Sequence, residues 1–156
     1  MKSKIFTRLV MIVSVVTLLS GATVVASCQS DAETQMQTFA KGFSDTYFNC
    51  QYHRSVPYCT PESRQWLSYM ASQVNSEDVE ALRSAAEGAS TEIADMDYNE
   101  SDTVASVVVT VRNYLEMDSL GKAGQHRDEA RFNIPMVMRQ GKWKVSLSAP
   151  LRALKD

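Results

Sequence analysis

The sequence predicts an α+β domain in which three N-terminal helices pack on a curved antiparallel sheet of four or more strands. Apolar residues recur with the helical period of about 3.6 as far as Gly88, and with the strand period of two after it. The later segments alternate cleanly between apolar and polar positions, which is typical of an antiparallel sheet with one buried face. Helices followed by strands favour segregated layers over alternating βαβ units.

The composition excludes several protein classes. The chain has 156 residues, of which 44% are hydrophobic and 22% are charged, and its formal net charge is −2. These values are ordinary for one globular domain and exclude a disordered tail, a collagen-like repeat and a disulfide-dense mini-protein. The slightly negative charge offers no electrostatic attraction to nucleic acid, so no nucleic-acid partner is expected.

Residues 1–27 have the pattern of a secretory signal. Three basic residues precede an uncharged, mostly apolar stretch over 9–26, which ends in small residues. A transmembrane anchor is the alternative, because this stretch reaches the lower limit for a bilayer span. Its internal serine, threonine and glycine residues favour a cleaved signal instead.

The end of this segment predicts lipidation. Val25-Ala26-Ser27-Cys28 resembles the bacterial lipobox, in which the cysteine is acylated, for example with palmitate, and becomes the new N-terminus. Ordinary cleavage after Ala26 is the alternative. Acyl chains would anchor the domain in a bilayer, since each buried methylene contributes about 0.8 kcal/mol. We therefore expect a signal over 1–27, a lipidated tether over 28–32, a domain over 33–149 and a C-terminal tail over 150–156. Gln29 after the cysteine favours the outer membrane of the cell envelope, by resemblance to the enterobacterial sorting rule.

The other two cysteines, Cys50 and Cys59, predict a disulfide. An exported protein meets an oxidising compartment, and closing so short a loop contributes about 2–3 kcal/mol in the chain-entropy model. The alternative is a metal site that uses both thiols and His53, but it lacks a fourth ligand and the usual closer spacing. The sequence therefore predicts no metal and no cofactor.

Three helices are predicted before Gly88. The first begins near Glu33, and residues 49–60 form a loop. Thr60 and Pro61 have the pattern of an N-cap and a first helical residue, so they begin the second helix. The third begins at Asn75 or Ser76 and ends at Gly88. The inward face of the first helix is formed by Met36, Phe39, Ala40, Phe43, Tyr47 and Cys50.

Four strands are predicted after Gly88: residues 91–98, 103–117, 126–139 and 142–147, with turns at 99–102, 118–125 and 140–141. The alternation over 103–117 places Tyr114 on the face opposite Val111 and Leu115. Pro135 lies inside the third strand and indicates a sheet edge or a bulge. In the last strand Trp143, Val145 and Leu147 face the core.

This arrangement resembles the nuclear transport factor 2-like superfamily, whose members have a cystatin-like cone fold. The resemblance covers residues 33–148 and depends on two motifs, the 101–107 segment before the long strand and Gln140-Gly141-Lys142-Trp143-Lys144-Val145. The chain is most similar to small envelope lipoproteins of Bacteroides-type bacteria that carry a domain of unknown function. The resemblance implies a sheet wrapped around the first helix, with an open end suited to a small ligand. The superfamily includes isomerases, cyclases and dehydratases beside many non-catalytic members, so the fold does not decide the function.

Four side chains are candidates for a pocket inside such a cone: Tyr47, Tyr114, Asp128 and Trp143. His126 is a further ionisable candidate. None of them matches the catalytic positions of the superfamily, so no catalytic residue is assigned. We expect a membrane-anchored, non-catalytic lipoprotein that binds a small apolar ligand or a protein partner. The alternatives are an isomerase or dehydratase, and a structural or assembly role as a homodimer.

Overall fold

A computed structural model describes residues 25–98, 103–117 and 122–155 of the chain. The chain divides into two compact units, Met1–Ala32 and Glu33–Asp156. Only residues 25–32 of the first unit are described, so most of the predicted signal lies outside the described residues. The segment predicted as a tether, 28–32, is helical. None of the helices in the described part of the chain has the length and apolar character needed to cross a membrane.

The described residues contain four α-helices before the sheet: α1 (Val25–Tyr47), α2 (Tyr52–Ser55), α3 (Arg64–Gln73) and α4 (Ser76–Ser84). The three predicted helices are therefore present as α1, α3 and α4, but α1 begins at Val25 and not near Glu33, and α4 ends at Ser84 and not at Gly88. The segment predicted as a loop instead contains the single turn of α2 and a 3₁₀ turn over Val56–Tyr58. A second 3₁₀ turn, Pro61–Ser63, connects Thr60 to α3.

Helix α1 supplies most of the helical side of the core. Met36, Ala40, Phe43 and Tyr47 are buried on one stripe, which confirms the predicted face. After the helix ends, the Asn49 side-chain amide donates to the Ala89 carbonyl oxygen and its oxygen accepts from the Ala89 N–H, at 2.9 Å each. These bonds join the end of α1 to the beginning of the sheet.

The sheet has four antiparallel strands in chain order: β1 (Ser90–Asp97), β2 (Val104–Glu116), β3 (Gln125–Arg139) and β4 (Lys142–Val145). This confirms the predicted α+β class. The turn at 99–102 and part of the loop at 118–125 lie outside the described residues. The inner face of the central strands is fully apolar and buried, and it is formed by Ala105, Val107, Val109, Val111, Phe132, Ile134 and Met136.

The prediction that Tyr114 and Val111 lie on opposite faces was wrong. Both side chains are buried. In a regular strand, residues three positions apart face opposite sides, and the β2–β3 register does not shift between them. Asn113 has a φ of 55°, a left-handed conformation that asparagine tolerates better than most residues and that interrupts the alternation of a strand. Its side-chain amide donates to the Glu87 carbonyl oxygen at 2.8 Å.

The prediction that Pro135 marks a sheet edge or a bulge is confirmed in part. Strand β3 lies between β2 and β4, but its pairing with β4 begins only at Met136, so Pro135 lies where the β4 side of β3 becomes an edge. The register with β2 is regular at Pro135, without a bulge. The Pro135 carbonyl oxygen accepts from the Ser146 N–H at 2.9 Å, so its peptide groups face the β4 side. Strand β4 ends at Val145. The missing N–H of proline therefore lies where the β3–β4 pairing ends and costs no ladder hydrogen bond.

The β3–β4 turn has the conformation that its sequence predicts. Gln140 and Gly141 have φ values of 51° and 74°, and Arg139 pairs with Lys142 directly before and after them. Positive φ at both central residues is typical of the two-residue hairpin turns that match the twist of antiparallel strands. This confirms the predicted turn at 140–141, and Trp143 and Val145 face the core as expected.

Candidate ligand-binding site

One cavity in the described part of the chain, of about 340 Å³, lies between the end of α1, helix α3, strands β2 and β3 and the C-terminal segment 150–155. Six aromatic side chains line it: Tyr47, Phe48, Tyr52, Tyr69, Tyr114 and Phe132. The other apolar lining residues are Met70, Leu115, Met117, Pro150, Leu151 and Ala153. The polar lining residues are Gln73, Glu116, Arg152 and Lys155.

The aromatic residues support one another from two layers of the fold. Phe48, which follows α1, has its ring centroid 4.5 Å from Phe132 on β3 and 5.9 Å from Tyr114 on β2. The Tyr47 and Tyr52 rings meet edge to face at 5.3 Å. Tilted and edge-to-face contacts of this kind each contribute about 0.5–1.5 kcal/mol beyond area burial. The aromatic wall is therefore held in place before any ligand arrives.

The phenols of Tyr47 and Tyr114 are hydrogen-bond donors at neutral pH. Burial raises the pKa of Tyr47 to about 12, although the hydrogen bond from the Leu151 N–H opposes this rise. That bond is 3.3 Å long and uses the Tyr47 oxygen as acceptor, so the phenol proton stays available to another group. Burial also raises the pKa of Tyr114, and the nearby Glu116 carboxylate adds to the effect.

The predicted Cys50–Cys59 disulfide is not formed in this structure, where both residues are free cysteines. Cys50 follows α1 with a φ of 57°, and its sulfur accepts from the Tyr52 hydroxyl at 3.8 Å. Cys59 is buried and forms a parallel bridge with Val145 of β4. The Cys50 thiol therefore contacts an aromatic side chain, whereas the backbone of Cys59 is held beside the sheet.

The alternative of a metal site gains no support from the geometry. Within residues 25–98, 103–117 and 122–155, no three His, Cys, Asp or Glu side chains come together as metal ligands would. His53 is exposed, whereas Cys59 is buried. Burial raises the pKa of the Cys59 thiol to about 12, and burial raises that of Cys50 as well. Both thiols are therefore protonated at neutral pH.

One charged pair borders the cavity. The Arg127 Nε lies 2.6 Å from a Glu116 carboxylate oxygen, and the side chains are 50% and 32% exposed, respectively. Because the carboxylate is neutralised by this contact, Glu116 adds little net negative charge to the lining. Arg152 and Lys155 are both exposed and lie at the solvent side of the C-terminal segment.

The structure brings two of the four candidate pocket residues together. Tyr47 and Tyr114 line the cavity, whereas Asp128 and Trp143 do not. The Asp128 side chain is fully exposed, and its carboxylate lies 3.9 Å from the His126 ring. Trp143 is buried on β4, and its backbone N–H donates to the Gln35 side chain of α1 at 2.8 Å. The Asp128 side chain is thus exposed to solvent, and the Trp143 side chain lies in the core between α1 and β4.

Five of the lining residues missed by the sequence analysis lie in the segment predicted as a C-terminal tail: Pro150, Leu151, Arg152, Ala153 and Lys155. Ala153 forms an antiparallel bridge with Phe132, and the Leu154 N–H donates to the Arg131 carbonyl oxygen at 2.8 Å. This segment closes one wall of the cavity. The one signal for it in the sequence is the alternation of Leu151 and Ala153 with Arg152, which is too short to identify a strand.

No protein-family model matches the chain, and no curated protein matches it in sequence. Among solved structures, the chain is similar to one described as an NTF2-like protein involved in plasmid conjugation. The two are 15% identical, with a TM-score of 0.34. The match covers 80% of this chain and 50% of the other, so this chain spans about half of that protein's length.

Proposed function

We propose that this chain is a cell-envelope lipoprotein with a nuclear transport factor 2-like domain, and that the domain binds a small, largely apolar molecule in the cavity described above. The observation that supports this proposal is the aromatic lining of a space of about 340 Å³. Small-molecule sites in proteins are concave, mostly apolar, and contain a few well-placed polar groups. Twelve of the sixteen residues that line this cavity are aromatic or otherwise apolar, and phenol, amide and charged groups supply its polar atoms.

The aromatic rings of the lining favour a ligand with an apolar body. The rings of Phe48, Phe132 and Tyr114 present faces and edges within 6 Å of one another, which suits stacking and edge contacts with a ring or an alkyl chain. The phenol of Tyr47 supplies a donor for one acceptor atom of the ligand. No group on the lining has the geometry of an activated nucleophile, and we propose binding rather than turnover.

The neutral fluorophore N-phenyl-1-naphthylamine tests this proposal, because its emission rises in an apolar site. We expect saturable binding with one site per chain. Replacing Tyr69 by alanine should weaken it about fivefold or more, since this substitution removes part of an aromatic wall worth about 1 kcal/mol or more. Tyr69 is 43% exposed, so the fold should tolerate the change. Fluorescence titration provides the measurement.

Trp66→Ala is the matched control. Trp66 lies on the same helix and contacts the Tyr69 ring at a centroid distance of 6.4 Å, but it does not line the cavity. Both variants lose this ring contact, and only Tyr69→Ala changes the cavity. Equal losses of probe affinity in the two variants, or no saturable binding to the natural chain, would contradict the proposal.

The membrane anchor is tested separately, in a bacterial host that processes lipoproteins. We expect labelled palmitate to be incorporated into the natural chain and the protein to sediment with membranes, because acylation at Cys28 provides the anchor. Cys28→Ser should abolish both, whereas Cys50→Ser should retain both, since Cys50 belongs to the folded domain. Label in the Cys28→Ser variant, or an unmodified N-terminus at Ser27 in the natural chain, would refute lipidation.

A further inference from the structure

We infer that the cavity binds an amphipathic anion, in which an apolar body occupies the aromatic space and a carboxylate, sulfonate or similar group lies beside Arg152 and Lys155. This inference rests on the proposed function and specifies the chemical class of its ligand. It depends on three features of the lining: the sign of the charges at its mouth, the way these charges are held, and the hydrogen-bonding character of its phenols.

The charges of the lining are not balanced. Its one carboxylate, that of Glu116, is paired with Arg127 at 2.6 Å, and Asp128 is fully exposed to solvent. Arg152 and Lys155 line the cavity, and neither forms an ion pair with any residue that the structure describes. Among the residues that the structure describes, the mouth of the cavity therefore carries net positive charge, which attracts anions and repels cations.

The backbone segment that carries the two cations is held in place relative to the aromatic wall. The Leu151 N–H donates to the Tyr47 hydroxyl oxygen, the backbone of Ala153 pairs with that of Phe132, and the Leu154 N–H donates to the Arg131 carbonyl oxygen. Arg152 lies between Leu151 and Ala153, and Lys155 directly follows Leu154. The backbone that carries the cations is thus fixed to two of the rings that would contact the ligand, so apolar and charged contacts can be made together.

An aromatic cavity can also bind organic cations through the faces of its rings, and this is the rival interpretation. Sites of that kind need rings without competing positive charge. Here the carboxylate that could assist a cation is neutralised by Arg127, and two further cations lie at the mouth. The protonated phenols of Tyr47 and Tyr114 donate hydrogen bonds, which also favours a ligand with acceptor oxygens.

The test uses two probes that differ by one charged group, the neutral N-phenyl-1-naphthylamine and the anionic 8-anilino-1-naphthalenesulfonate. Substituting Arg152→Gln and Lys155→Gln together should weaken binding of the anionic probe about fivefold or more, since exposed ion pairs contribute up to about 1 kcal/mol each. Binding of the neutral probe should change less than twofold. Added salt should weaken the binding of the anionic probe and leave the binding of the neutral probe unchanged.

The control variant is Arg139→Gln with Lys142→Gln, which removes the same charge from the β3–β4 turn, away from the cavity. It should leave the affinity of both probes within twofold of the natural chain. Displacement of the neutral probe adds a second measurement, in which dodecanoate should compete at least fivefold better than dodecyltrimethylammonium.

The outcomes separate the two proposals. If the natural chain binds neither probe, the proposed function fails and the inference fails with it. If the neutral probe binds but the double substitution Arg152→Gln and Lys155→Gln leaves the affinity for the anionic probe unchanged, the inference alone is overturned. Better competition by dodecyltrimethylammonium than by dodecanoate would likewise overturn it and would establish the cation-binding rival.

Discussion

Replacing Asp78 by asparagine should lower the free energy of unfolding by about 3 kcal/mol, because it removes a buried carboxylate with two backbone donors. Asp78 is 1% exposed. One carboxylate oxygen accepts from the Asn75 N–H at 2.8 Å and completes the capping box of α4. The other accepts from the Gly124 N–H at 2.7 Å, next to the beginning of β3. Asparagine keeps the shape of the side chain, but its NH₂ group replaces one carboxylate oxygen. A donor then faces one of the two backbone N–H groups, which loses its acceptor.

The matched control for this prediction is Glu77→Gln. Glu77 lies beside Asp78 in the first turn of α4 and has the same favourable position relative to the helix dipole, but it is exposed. Its substitution should change the free energy of unfolding by less than about 0.5 kcal/mol. Urea denaturation measures both variants. A loss below 1 kcal/mol for Asp78→Asn would show that this carboxylate does not tie α4 to the β2–β3 hairpin.

Raising the pH above 9 should destabilise the fold steeply. Burial raises the pKa of the Cys59 thiol from 9.0 to about 12 and that of the Tyr47 phenol from 10.0 to about 12. Burial also raises the pKa of Tyr52. Below pH 9 these groups are protonated in both the folded and the unfolded chain, and their contribution to stability is fully present. Between pH 9 and 12 the unfolded chain releases protons that the folded chain retains, so stability falls as the pH rises.

The expected slope is about 1.4 kcal/mol per pH unit for each such group once the pH exceeds its unfolded pKa. Urea denaturation at half-unit steps from pH 8 to pH 11 measures this slope. Tyr47→Phe removes one of the groups, and it should reduce the slope above pH 10 by about 1.4 kcal/mol per pH unit. A free energy of unfolding that stays constant from pH 9 to pH 11 would contradict the burial of these side chains.

Most elements of the fold could be predicted because their signals are local. The apolar stripe of Met36, Ala40, Phe43 and Tyr47 identifies α1 from the sequence of that segment alone. The turn at Gln140-Gly141 is also a local signal, because two-residue hairpin turns have strong conformational preferences. Asn113 shows the limit of such reasoning. Its left-handed conformation is stabilised by contacts with Glu87 and His126, which are distant in sequence, and this one residue decides that Tyr114 faces the cavity.

The cavity could be predicted only in part. Tyr47 was found because it lies on the apolar face of a helix, where burial follows from periodicity. Asp128 was a reasonable candidate by residue type, but its side chain points into solvent. Lys155 could not be predicted because it follows the last predicted strand, in a segment whose alternation is too short to identify a strand. Tyr52 was missed for a similar reason, since it lies in a segment predicted as a loop.

The sequence by itself determined the order of helices and strands, the antiparallel class of the sheet and the buried face of α1, because hydrophobic periodicity records which side of each element leaves water. The tertiary structure decided which of those faces enclose a space. The cavity depends on Phe48, Tyr114, Phe132 and Leu151, which come from four separate parts of the chain. Their approach is set by packing between elements, and no periodicity within one element contains that information.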